Sequence, residues 1–64
     1  MDFAAQIKTV RKKLKLNQAK FAEALNVSVP TINRWEKAKV QPSNLAKKTF
    51  EDFCENNFID LNKL

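Results

Sequence analysis

The chain is 64 residues long and contains no glycine. Glycine enters left-handed backbone conformations freely and lets a phosphate or another chain approach the main chain closely. Without it, glycine-rich phosphate loops, dinucleotide fingerprints and nucleophile elbows are all disfavoured. Turns that need a left-handed residue must use another one, and asparagine tolerates that conformation best. Histidine is absent as well, which removes the commonest general base and metal ligand. Together these absences argue against an enzyme. No residue pattern suggests a cofactor, a metal site or a small-molecule ligand.

A chain this short buries only about 60% of the surface that its unfolded form exposes. It is expected to form a single domain, 1–64, whose stability depends on efficient packing. Cys54 is the only cysteine, so no internal disulfide can staple the fold, and the count fits a reducing, cytoplasmic setting. No apolar run approaches the length of a membrane span, and none suits a secretory signal.

Charge is more informative. The chain carries a net charge of +5, and that charge is segregated. Residues 8–48 hold eleven Lys and Arg against Glu23 and Glu36, a balance of +9. Residues 1–7 and 49–64 hold Lys63 against Asp2, Glu51, Asp52, Glu55 and Asp60, a balance of −4. A basic middle with acidic flanks favours a polyanionic partner, either nucleic acid or an anionic membrane.

Periodicity places four helices. Phe3, Ile7, Val10 and Leu14 form one apolar stripe over 3–14, with Asp2 as its cap. Asn17 caps a second helix, 18–25, with Phe21, Ala22 and Leu25 facing inward, and Asn26 ends it in a left-handed turn. The stretch VSVPTINRW, 27–35, has the β-branched vocabulary of a strand. Pro30 would delete a ladder bond there, whereas a first-turn helical residue has no intrahelical acceptor for its amide. The spacing therefore predicts a helix capped by Ser28, starting at Val29 and ending near Lys37-Ala38, with Ile32 and Trp35 inward. Ser43 caps the fourth helix, 44–57, which sets Leu45, Ala46, Thr49, Phe50, Phe53 and Cys54 on one side. Phe58, Ile59, Leu61 and Leu64 are expected either to pack on the core as a short final turn or to contact another copy. An apolar face already needed for the core argues against membrane binding through helix 1.

Two short helices joined by Asn26-Val27-Ser28 form a helix-turn-helix, whose second member can lie in the DNA major groove. Asn17-Gln18-Ala19, Phe21-Ala22, Leu25-Asn26-Val27-Ser28, Thr31-Ile32 and Arg34-Trp35-Glu36 carry a resemblance to the Cro/CI-repressor (XRE-type) helix-turn-helix family. It spans roughly residues 6–55 and includes the later Pro42-Ser43. The resemblance implies an all-α, compact four-helix (five if the tail forms another), lambda-repressor-like DNA-binding domain with a central helix-turn-helix at 17–37. It implies sequence-specific binding of double-stranded DNA and a role as a transcriptional regulator. Val29, Pro30, Thr31, Asn33 and Arg34 are the implied base contacts, with Arg34 suited to a bidentate bond to guanine. Asn17, Gln18, Ser28, Lys37, Lys39, Gln41, Ser43 and Asn44 are the implied phosphate contacts. Arg11 and Glu36 match a family pair that forms a structural salt bridge.

The chain departs from the family pattern in three ways. Lys20 stands where a glutamate often closes a capping box, and Lys15, Asn26 and Ala38 stand where glycine is preferred. Only 58–64 remain for the fifth helix that the family uses in dimerisation. A homodimer, if formed, would favour half-sites about one helical turn apart. Two other readings use the same fold. One is an N-terminal targeting module of a larger DNA-acting protein, and the other is a protein-binding antitoxin or adaptor.

Overall fold

In the computed structural model, which describes residues 2–37 and 41–64, four α-helices precede a short 3-10 turn. They are α1 (Phe3–Lys13), α2 (Gln18–Leu25), α3 (Val29–Trp35) and α4 (Asn44–Asn56), followed by the turn Leu61–Lys63. There is no strand among the described residues, and the architecture is the all-α, four-helix one that the sequence resemblance implies.

Each α-helix starts where a short polar side chain can accept a bond from a first-turn amide that has no helical partner. Asp2 accepts from the Ala5 amide at 2.8 Å and Asn17 from the Lys20 amide at 2.8 Å. Ser28 accepts from the Thr31 amide at 3.3 Å and Ser43 from the Ala46 amide at 3.1 Å. Such a cap contributes on the order of 1 kcal/mol. Lys20 has no acceptor with which to return the bond, and its Nζ lies 3.9 Å from Glu23 on the exposed surface, a contact of little energetic weight.

Three helix ends show how a glycine-free chain turns. Lys15, Asn26 and Phe58 all have φ of 58°. At each, the left-handed residue donates its amide three residues back and the next residue donates five back. The second of these bonds are Leu16 to Arg11 at 3.1 Å, Val27 to Ala22 at 2.9 Å and Ile59 to Cys54 at 2.8 Å. The residue after the turn is apolar each time, and Leu16, Val27 and Ile59 all pack against the core, which holds the motif closed. Ala38, the other such position in the sequence, lies outside the described residues. Asparagine suits φ of 58°, but lysine and phenylalanine crowd their Cβ there. Exposed Lys15 is therefore a site of recoverable strain. Lys15→Gly is expected to stabilise the fold by about 0.5–1 kcal/mol, seen as a higher urea midpoint. A lower midpoint would show that the turn is not strained at this residue.

The core is built from Ile7 and Val10 of α1, Phe21, Ala22 and Leu25 of α2, Ile32 and Trp35 of α3, and Ala46, Phe50 and Cys54 of α4. Aromatic edges meet faces within it. Phe3 lies 5.7 Å from Trp35 and 5.6 Å from Phe50, and Phe21 lies 5.5 Å from Phe53, all T-shaped. Burial, with the Glu51 carboxylate adding to it, pushes the Cys54 thiol up to about 11. Its ionisation is therefore harder in the folded chain than in the unfolded one. The associated stability is intact below the thiol's ordinary range and declines as pH rises toward about 11. A thiol reagent at neutral pH is expected to label Cys54 only as the chain unfolds, with a rate that climbs with denaturant. Fast labelling without denaturant would mean that α4 opens locally.

The structure corrects three expectations. Leu45 is 74% exposed rather than inward. It lies about 100° around the helix from the Ala46–Phe50–Cys54 line, too far to reach the core. Phe58 is 96% exposed, while Ile59, Leu61 and Leu64 pack against the core as the final turn. The left-handed turn at residue 58 separates them by aiming one side chain outward and the next inward. Finally, α3 ends at Trp35 rather than near Lys37. The Glu36 amide still donates to Ile32, but the Lys37 amide steps back to Arg34 at 3.1 Å, so the last turn tightens as the helix stops.

Candidate nucleic-acid interface

Helices α2 and α3 pack more extensively on each other than any other pair of helices, and the turn between them is short because Asn26 reverses the chain within it. With Ile32 and Trp35 drawn inward, the opposite face of α3 is left to solvent. Val29, Pro30, Asn33 and Arg34 are all exposed, and Thr31 is half-buried at the edge. Pro30 and Arg34 stand one turn apart, as do Val29 and Asn33. Among the described residues, Arg34 has no ion-pair or hydrogen-bond partner, so its guanidinium is free to meet a ligand.

The hydroxyls at the start of α3 are already engaged with each other. The Ser28 and Thr31 Oγ atoms lie 2.8 Å apart, and Ser28 also accepts the Thr31 amide. One hydroxyl donates to the other, which leaves a single hydroxyl proton between them for a further partner. The family resemblance assigns the two separately, Ser28 to a phosphate and Thr31 to a base.

At the start of α2, Asn17 spends its Oδ1 on the Lys20 amide, leaving its side-chain NH2 available as a donor. Gln18, the first residue of α2, is half-buried. Past α3, Lys37, Gln41, Ser43 and Asn44 are exposed, and α4 adds exposed Lys47 and Lys48. Lys39 lies outside the described residues.

Beneath this surface, Arg11 and Glu36 tie α1 to the end of α3. Arg11 Nε donates to Glu36 Oε2 at 2.7 Å and Nη2 donates to Oε1 at 3.0 Å, so the guanidinium fork is bidentate. A third donor, Nη1, reaches the Leu16 carbonyl at 3.2 Å in the turn before α2. One side chain thus joins the two helices that flank α2 to the turn that introduces it. The hydrogen bonds that Arg11 donates to Glu36, together with the charge of that carboxylate, raise the Arg11 pKa above its ordinary value, with burial partly offsetting the gain. Because the pair neutralises itself, the remaining basic surplus of the middle segment sits, among the described residues, on exposed side chains.

The arrangement presents a short, solvent-facing helix with an unpaired arginine, held between a preceding helix N-terminus and a following run of exposed polar and basic residues. It offers hydrogen-bond donors and positive charge on one scaffold. Comparison with curated proteins and with solved structures found no match. The family model described as Helix-turn-helix matches residues 7–46, which takes in most of α1, all of α2 and α3 and the start of α4. The paired helices and the segments that support them are therefore those of a known DNA-binding domain, and the chain belongs to the Cro/CI-type helix-turn-helix family.

Proposed function

We propose that this domain binds double-stranded DNA sequence-specifically, with α3 in the major groove, and that it acts as a transcriptional regulator. The observation that carries the reading is the outward face of α3: packing uses Ile32 and Trp35 and leaves Val29, Pro30, Asn33 and Arg34 exposed. In that pose Arg34 reads guanine through its fork, and Val29 and Pro30 press on thymine methyl groups. Few base hydrogen bonds are available from so apolar a helix start, so part of the preference rests on DNA shape. The free NH2 of Asn17, with Gln18, Ser28, Lys37, Lys39, Gln41, Ser43 and Asn44, takes the flanking phosphates.

Binding to random double-stranded DNA at several salt concentrations tests this reading. Affinity is expected to fall steeply with salt, each phosphate contact adding about −0.9 to the logarithmic slope. Lys37→Ala is expected to flatten that slope by about one unit. No detectable affinity even near about 50 mM salt would remove DNA as the partner.

A further inference from the structure

At the end of the chain remote in sequence from α3, the most exposed large apolar side chain is Phe58, at 96%. Its backbone is fixed rather than loose: the Phe58 amide donates to Glu55 at 3.2 Å and the Ile59 amide to Cys54 at 2.8 Å. Beside it runs an open groove of about 490 Å³, with Ile59 and Leu61 in its wall and Cys54 at its base. Glu51, Glu55 and Asp60 line the same groove. It therefore combines an apolar wall and a protruding aromatic ring with three exposed carboxylates.

We infer that this groove is a docking site for a basic segment of a partner protein, one that sets a leucine-sized side chain against Phe58 and Ile59 and lysine or arginine against Glu51, Glu55 and Asp60. Charge complementarity selects this occupant. Residues 49–64 carry four acidic groups against Lys63, a field that repels a nucleic acid or an anionic membrane. Symmetric pairing of two copies would place Glu51, Glu55 and Asp60 against the same carboxylates, an arrangement that like charges oppose. An apolar-anchored basic segment satisfies both halves of the groove at once. The inference is independent of how α3 meets DNA.

The test is a titration of the isotope-labelled 64-residue chain with a synthetic amphipathic peptide of leucine and lysine, followed by amide NMR shifts. Two control peptides replace lysine by glutamate or leucine by serine. Shifts confined to residues 51–61 are expected with the leucine–lysine peptide, with binding at least about tenfold weaker for either control. Phe58→Ser and Glu55→Lys are each expected to weaken peptide binding by about tenfold while leaving the far-ultraviolet helical signal unchanged, and Phe58→Ser, which alters no charge, also leaves DNA affinity unchanged. Equal binding of the serine–lysine peptide would reduce the effect to bulk charge and overturn the proposal. So would unchanged affinity in Phe58→Ser, or shifts that map to α3. Concentration-dependent shifts at 51–61 without peptide would replace the partner by a second copy. None of these failures would alter the DNA titration, so the two readings fall separately.

Discussion

Replacing Arg11 with methionine is expected to destabilise the domain by about 2–4 kcal/mol, because it leaves the Glu36 carboxylate charged and without its partner. The Glu36 side chain is only 7% exposed and that of Arg11 17%, so water repairs little of the loss. The same substitution removes the bond from Arg11 to the Leu16 carbonyl, loosening the turn into α2. A domain of this size has a total stability of only about 3–10 kcal/mol, so the variant should unfold far earlier in urea. Arg11→Lys keeps the charge but loses the fork, and it is expected to fall between the two. The double variant Arg11→Met with Glu36→Leu should recover much of the loss, since no buried charge is then stranded. A single variant within about 0.5 kcal/mol of the wild type would show that the pair adds little. The sign with pH follows from the raised Arg11 pKa: the contribution is present below the guanidinium's ordinary value and is lost only above it, at extreme alkalinity.

The second large effect concerns recognition. Arg34→Ala is expected to weaken binding at a selected DNA site by about 1–3 kcal/mol, or roughly tenfold to a hundredfold, and to relax the base preference at one position. Arg34 is exposed and, among the described residues, unpaired, so the fold should be unchanged. Competition between the selected site and random DNA at fixed salt separates reading from attraction. If both affinities drop equally, Arg34 contacts only phosphate. Arg34→Lys adds a second comparison, because it keeps the charge without the bidentate geometry.

Much of the fold is legible because helix starts are local chemistry. Asp2, Asn17, Ser28 and Ser43 each hold an oxygen where the first turn needs an acceptor, and each bonds the amide three residues on. Asn26 takes the left-handed position that ends α2, and Pro30 sits in the first turn of α3 where no amide bond is lost. The inward stripes Ile7–Val10, Phe21–Ala22–Leu25 and Ile32–Trp35 follow from helical period alone. That same period exposes the face of α3 that we propose meets DNA.

The residues that local pattern misplaced are those whose environment depends on distant parts of the chain. Leu45 is larger and more apolar than the buried Ala46 that follows it, but no other element among the described residues covers its side of α4 closely enough to bury it. Phe58 and Ile59 are adjacent and equally apolar, and only the turn through Cys54 and Glu55 sends one to solvent and the other to the core. The hydroxyl pair of Ser28 and Thr31 depends on rotamers that the sequence does not specify. Arg11 and Glu36 lie 25 positions apart, beyond the reach of any helical period, and the family resemblance rather than spacing pairs them in the sequence. By itself, then, the sequence determined where helices begin, where they turn and which stripe each one buries, since those follow from backbone bonds and spacing within a few residues. The tertiary structure alone decided which apolar side chains stay wet and how the Arg11 fork seats on Glu36, since both depend on what another helix brings alongside.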